Sequence, residues 1–247
     1  MCMPLRRICL IASLSLTNAC ALFSGVQQQT ALNLELGEQS IQMARYQDAL
    51  AYLNKALSLE PKLGRAHAAL GDYYLGINDP KQATKHVQQA LDQDPDNLLV
   101  QASYASYLCS SGATERGIHI LLETIDAARN SQPWHAQTRL GQCFNQASNP
   151  DEAVHYLQKA LEAKTDYWPA LLAMQKISYT QHQYTSAREY WLRYTQTGKS
   201  NADALWLAFQ TERALGDAEL SSVYRQQLLQ EFPDSLQAQK IKNTISN

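Results

Sequence analysis

Residues 64–97 read GRAHAALGDYYLGINDPKQATKHVQQALDQDPDN, and the fold follows from this stretch. Thirty-four residues before Gly71, Ala83, Ala90 and Pro95 stand Gly37, Ala49, Ala56 and Pro61. Self-similarity at that period marks a helix–turn–helix unit that stacks on copies of itself. Gly and Ala fall where two helices must approach closely, and the proline falls where the second helix has to stop.

Taking the small residue of the first helix as position 8, units begin at Thr30, Gly64, Leu98, Trp134, Trp168 and Ala202. The pattern resembles the tetratricopeptide repeat. It implies an all-α, right-handed α-α superhelix (a solenoid) of six repeats: 30–63, 64–97, 98–133, 134–167, 168–201 and 202–233. Segment 234–247 follows as a capping helix and tail, with Leu236, Ile241 and Ile245 near helical spacing. Pro80 and Pro150 share position 17, the first turn of a second helix, where a missing N–H does no harm. Asp79 and Asn149 precede them as predicted N-caps, and Tyr46 and Tyr184 fill the same place in repeats one and five.

Later repeats depart from this template. Repeat three has Ala105 and Gly117 at its small positions and a two-residue extension through Asn130–Pro133. Repeat four restores the pattern but has Thr165 for the closing proline. Repeat five puts Gln175 where glycine stood, and repeat six has Phe209 and Ser221 at the small positions. Divergence toward an array's end is expected, since terminal units have one neighbour fewer.

The first twenty residues, MCMPLRRICLIASLSLTNAC, give a basic start at Arg6 and Arg7, an apolar run from Ile8 to Leu16 and small residues before Cys20. This predicts a secretory signal over 1–19. A cysteine after the cleavage region resembles a bacterial lipobox, with Cys20 as the lipid attachment point and 20–29 as lipidated terminus and spacer. Thr17 stands where that pattern prefers leucine. Ordinary secretion, with Cys20 incidental, is the alternative. No aspartate follows Cys20, which by the lipoprotein sorting rule resembles an outer-membrane destination.

The chain holds 21 basic and 23 acidic residues. Removing Arg6 and Arg7 leaves 21 − 2 = 19 against 23, a net of −4. With no basic block, nucleic acid is excluded as a partner. Cys109 and Cys143 lie on the first helices of neighbouring repeats, but their offsets differ by two, turning one about 200° from the other around the helix. That predicts two small apolar packing residues rather than a disulfide. The six histidines (His67, His86, His119, His135, His155 and His182) have no close ligand spacing and read as solvated or half-buried. Asp92, Asp94 and Asp96 imitate a calcium loop, but Asn97 replaces its glycine and Ser103 its glutamate. No catalytic motif, metal site, cofactor or small-molecule substrate is indicated.

In such arrays the first helices line a concave groove. Helical periodicity puts Leu34, Glu38, Ile41, Arg65, Asp72 and Leu75 there in the first two repeats. Gln142, Asn145, Lys176, Tyr179, Trp206 and Arg213 follow in the later ones, as candidates for binding an extended or helical partner segment. Several could instead only pack between neighbouring helices.

The leader, spacer, six repeats and cap together resemble the PilF/PilW family of type IV pilus biogenesis and stability proteins. The resemblance runs from Thr30 to Gln237. It includes the repeat-three-to-four junction with its two-residue extension and the passage YTQTGKSNADALWLA, Tyr194 to Ala208. It implies a non-enzymatic outer-membrane lipoprotein, a pilotin, facing the periplasm. Such a protein binds the secretin subunit and promotes its localisation and multimerisation; only Cys20 carries over as a family functional residue. A generic periplasmic repeat scaffold for another envelope assembly is the rival reading, and an enzyme accessory a more distant one.

Overall fold

The computed structural model describes residues 8–43, 45–127 and 129–245, with side chains from 25 to 243 (44 and 128 excepted), and these residues are helical with no strand. Residues 1–7 of the leader, the side chains of its remainder and of Cys20, and residues 246–247 lie outside what is described. The chain divides into two compact units at Pro95/Asp96.

The first unit holds α1 (Ile8–Gln42), α2 (Tyr46–Leu59), α3 (Gly64–Gly76) and α4 (Pro80–Gln93). Its core is Leu34, Leu53, Leu70 and Tyr73 among Ala49, Ala56, Ala66 and Ala69. The glycines set how closely each pair shuts. A Cβ on Gly71 would lie 2.5 Å from Val87 Cγ2. Sixteen residues past each position-8 residue, a buried aliphatic side chain (Leu53, Val87) covers it and seals the pair. Helix α1 runs unbroken through 20–29, so the segment read as a spacer has helical backbone.

The second unit holds α5 (Leu98–Ser110), α6 (Thr114–Asp126), α7 (Pro133–Gln146), α8 (Pro150–Ala163), α9 (Trp168–Thr180), α10 (Tyr184–Thr195), α11 (Ala202–Leu215), α12 (Ala218–Glu231) and α13 (Leu236–Ile245). Leu121 and Leu157 are its sealing aliphatics, both fully buried. At α9/α10 the arrangement changes: Gln175 replaces glycine and Trp191 replaces the aliphatic, with both and Tyr194 buried. Gln175 Nε2 donates to the Ala204 carbonyl at 3.1 Å, so a polar side chain ties α9 to α11. Glu212, wholly buried, accepts two hydrogen bonds from Arg188, which also reaches Asp217 at 3.3 Å. A buried carboxylate persists only when so paired.

The inter-helix turns share one device. Position 15 is left-handed in repeats two to six: Asn78, Gly112, Ser148, His182 and Gly216. One such residue ends the first helix and lets the chain reverse.

Five expectations need correction. Cys109 and Cys143 form a disulfide, with their Cα atoms 5.6 Å apart. The 200° argument misjudged the geometry: two side chains meeting across an interface between parallel helices must point in roughly opposite directions. Asn149 makes no side-chain cap. Asp79 does cap, accepting from Gln82 N at 3.1 Å, and so do Asn97, Asn201 and Asp217, which the sequence reading did not single out. His67 is buried rather than solvated or half-buried. In α13 the buried positions are Ala238 and Ile241, while Leu236 is 70% exposed. Leu34 packs inside the first unit's core and does not line an open surface.

Candidate functional site

The first helices of the repeats supply the candidate binding residues. In the first unit, Glu38 on α1 and Arg65 on α3 meet in a two-point ion pair, Nε to Oε1 at 2.9 Å and Nη2 to Oε2 at 2.7 Å. Positions 9 and 2 of successive repeats thus touch, and the fork fixes their relative placement. Ile41 packs against the core edge, while Asp72 and Leu75 are partly exposed. The surface there pairs a neutralised charge with aliphatic groups.

Behind it stands an aromatic stack that sequence spacing did not reveal. Tyr74 lies over His86 with ring centroids 5.3 Å apart, and His86 over His67 at 5.4 Å. His67 Nε2 is 3.3 Å from the Pro61 carbonyl, and its Nδ1 is 3.1 Å from His86 Nδ1. A neutral His67 that donates through Nε2 accepts at Nδ1, so His86 is the donor between them. Burial lowers both pKa values, His86 to about 4, with the His67 and Lys85 charges adding to the effect at His86. Residues 19 apart in sequence met because position 4 of a first helix faces position 23 of its second.

In the second unit, Gln142, Asn145 and Lys176 are exposed, and Tyr179 is half-buried edge-on to Tyr184 at 5.6 Å. Between the repeats, Arg139 donates to Ser106 Oγ at 2.9 Å, and His135 Nδ1 shares a 2.9 Å hydrogen bond with the Tyr167 hydroxyl. These contacts are internal struts, and they leave the amides and Lys176 as the groups open to a partner. Trp206 and Arg213 are brought together in a separate place, a cleft at the end of the unit, where Arg213 lies over Phe209 at 5.6 Å. Sequence reading placed Trp206 and Arg213 in a groove but missed Arg225 and Ile241, which line the same cleft. The available signal was Arg225 standing at the position that is aliphatic in repeats one to four.

The arrangement offers hydrogen bonds, charge and apolar contact. Among the described residues, no group of three or more His, Cys, Asp and Glu side chains could hold a metal ion.

Two tetratricopeptide-repeat family models match the chain, one over residues 40–107 and one over 78–165. The type IV pilus assembly protein PilF of Pseudomonas aeruginosa is 27% identical over 209 residues, 85% of this chain and 83% of that one. The solved structure of Pseudomonas aeruginosa PilF aligns at TM-score 0.55 and 26% identity, covering 89% of this chain and 99% of that. The structure of PilW, described as a widely conserved type IV pilus biogenesis factor, aligns at TM-score 0.60 and 23% identity over 86% and 97% of the two chains. Human IFIT1 reaches TM-score 0.65 at 14% identity over 52% of its own chain, so shape similarity by itself shows only the shared helical-repeat fold. Sequence identity sustained along most of both chains discriminates further: the chain is a tetratricopeptide-repeat protein and a relative of the type IV pilus proteins PilF and PilW.

Proposed function

We propose that this protein serves type IV pilus biogenesis as a non-enzymatic outer-membrane lipoprotein that binds the secretin subunit and promotes its localisation and multimerisation. The observation that carries the reading is the similarity to PilF over 209 residues, 85% of the chain, rather than over one generic motif. Two further features support it. The leader ends at Cys20, whose acylation would hold the array at a membrane far more firmly than protein contacts alone. The Cys109–Cys143 disulfide fits an oxidising compartment such as the periplasm.

In this reading each unit offers its own first-helix surface to a partner, Leu75 and Asp72 in the first unit and Gln142, Asn145 and Lys176 in the second. Aliphatic groups give contact, and polar groups fix register. Such surfaces would hold a subunit that otherwise associates with itself prematurely.

The test is a deletion strain complemented with wild type or with Cys20→Ala. Secretin is followed by membrane fractionation and by immunoblot of its heat-stable multimer. The expectation is monomeric or mislocalised secretin in the deletion strain, with palmitate labelling of the wild-type protein and none of Cys20→Ala. Normal multimers and normal piliation without the gene would refute the role, and unchanged labelling of Cys20→Ala would refute the anchor.

A further inference from the structure

The last repeat departs from the rule that closes repeats one to four. In repeats one to four a small residue at position 8 or 20 lets the helices close, and Leu53, Val87, Leu121 or Leu157 at position 24 seals them. In repeat six Phe209 fills position 8, Ser221 fills position 20, and position 24 is Arg225, whose side chain is exposed. Leu228, three residues on, is the buried aliphatic of α12, and beside Arg225 lies a cleft of about 490 Å³ that Ile241 of α13 also lines. That volume lies within the range of ordinary ligand pockets.

The chemistry of the cleft is lopsided. Its floor is apolar, from Phe209, Trp206 and Ile241. Its charged lining residues are Arg213 and Arg225, and no carboxylate lines it. Neither arginine forms an ion pair among the described residues; Arg213 has only a 3.5 Å contact to Gln210 and its stacking on Phe209. By contrast, Arg188 and Arg65 elsewhere in the chain are each matched to carboxylates. Two unmatched guanidiniums beside an aromatic floor form a receptor for carboxylate next to apolar side chain.

We propose that this cleft docks an acidic peptide segment. One aromatic or branched aliphatic side chain would sit on Phe209 and Ile241, and flanking Asp or Glu carboxylates would pair with Arg213 and Arg225. An anionic membrane surface fits less well, because it would engage the two arginines but leave the apolar groups of Trp206, Phe209 and Ile241 unfilled. The cleft uses the first helix of repeat six but none of Asp72, Leu75, Gln142, Asn145 and Lys176, the residues assigned to secretin above, and it stands whether or not that assignment holds.

Fluorescence anisotropy tests it on the full-length mature protein. The probes are labelled dodecapeptides carrying one Phe or Leu flanked by Asp and Glu, and the same peptides with Asn and Gln in the acidic positions. Acidic peptides should bind at least tenfold more tightly than neutral ones, and binding should weaken as salt rises from about 50 to 300 mM. Arg213→Ala should reduce affinity about tenfold. Arg225→Leu restores the aliphatic seal, so it should abolish binding while leaving the melting temperature equal or higher, which separates lost recognition from unfolding. Arg225→Lys should retain part of the affinity. Equal binding of neutral peptides, or Kd within twofold of wild type for both Arg213→Ala and Arg225→Leu, would overturn the proposal. So would Arg225-dependent binding to phosphatidylglycerol vesicles with no peptide binding, which would make the cleft a membrane contact.

Discussion

Reducing the Cys109–Cys143 bridge should uncouple repeats three and four, and the structure sets the size of the effect. The bridge joins α5 to α7 across a sequence separation of 34 residues. Cross-linking a loop of that length removes about 12.6 cal/mol/K of denatured-chain entropy, or about 3.8 kcal/mol at 25 °C. At about 2–4 °C per kcal/mol for a chain of this size, the melting temperature of the second unit should fall by roughly 8–15 °C. Circular-dichroism melts and urea titrations would compare oxidised wild type, reduced wild type and Cys109→Ala/Cys143→Ala. Peptide mapping without reductant would confirm the bridge in the starting material. Gly117→Ala provides an internal check. Its Cβ would lie 2.6 Å from Cys109 Sγ and 2.7 Å from the Ala105 carbonyl oxygen, and the carbonyl cannot swing away. That variant should therefore be destabilised with or without the bridge. Superposable melts for oxidised and reduced protein, or two free thiols in the map, would refute the reasoning.

Three other perturbations follow from the same geometry. Arg188→Met strands the buried Glu212 carboxylate and should cost about 3–5 kcal/mol in urea titration, most of it recovered in Arg188→Met/Glu212→Leu. Gly71→Ala drives a methyl into the Val87 side chain and should cost about 1–3 kcal/mol, with rescue by Val87→Ala. Gly141→Ala also meets the Ala153 carbonyl oxygen at 2.9 Å, so Leu157→Ala should fail to rescue it. Because His86 titrates near 4 when folded, below its ordinary value of 6.5, the unfolded chain binds more protons between those values. The first unit should then hold its full stability above pH 6.5 and lose on the order of 2 kcal/mol as pH falls toward 4. Urea midpoints measured against pH should show this slope, and His86→Phe should flatten it.

Most of the fold was legible because a repeat states its packing rule several times. Gly37, Gly71 and Gly141 each announce a close helix approach, and the structure shows an aliphatic side chain pressed over each one. What remained hidden depended on which way side chains point between helices. The disulfide was dismissed by comparing directions around a helix axis, when facing residues on parallel neighbours must differ by about half a turn. The His67–His86 contact was missed because ligand spacing was sought along one helix, whereas the pair spans two. Of the candidate site, Glu38 and Arg65 were placed on one surface by periodicity, but their pairing was not foreseen, and pairing changes what a partner meets there. Leu34 shows the opposite failure: a position that faces outward in a general array is buried here at 5% exposure.

Departures from the template therefore carry more functional information than the template, provided each is tied to a physical consequence. At α5/α6 the glycine moves from position 8 to position 20, and the space it clears is where Cys109 sits, so the exchange makes room for a cross-link. At α9/α10 the small residue and its aliphatic cover become Gln175 and Trp191, and the amide reaches across to the Ala204 carbonyl, so the exchange adds a strut to the next repeat. Both changes link neighbouring repeats of the second unit. At α11/α12 the same two positions become Phe209 and Arg225; Leu228, three residues on, is the buried aliphatic of α12, and a cleft lies beside Arg225. A replacement chosen only for packing would put an apolar or hydrogen-bonded side chain at position 24, as in the first five repeats. An exposed arginine beside a second unmatched arginine contributes nothing to closure. Its chemistry is directed outward, and on that ground the C-terminal cleft, rather than the best-formed repeat, is where a second partner should be sought.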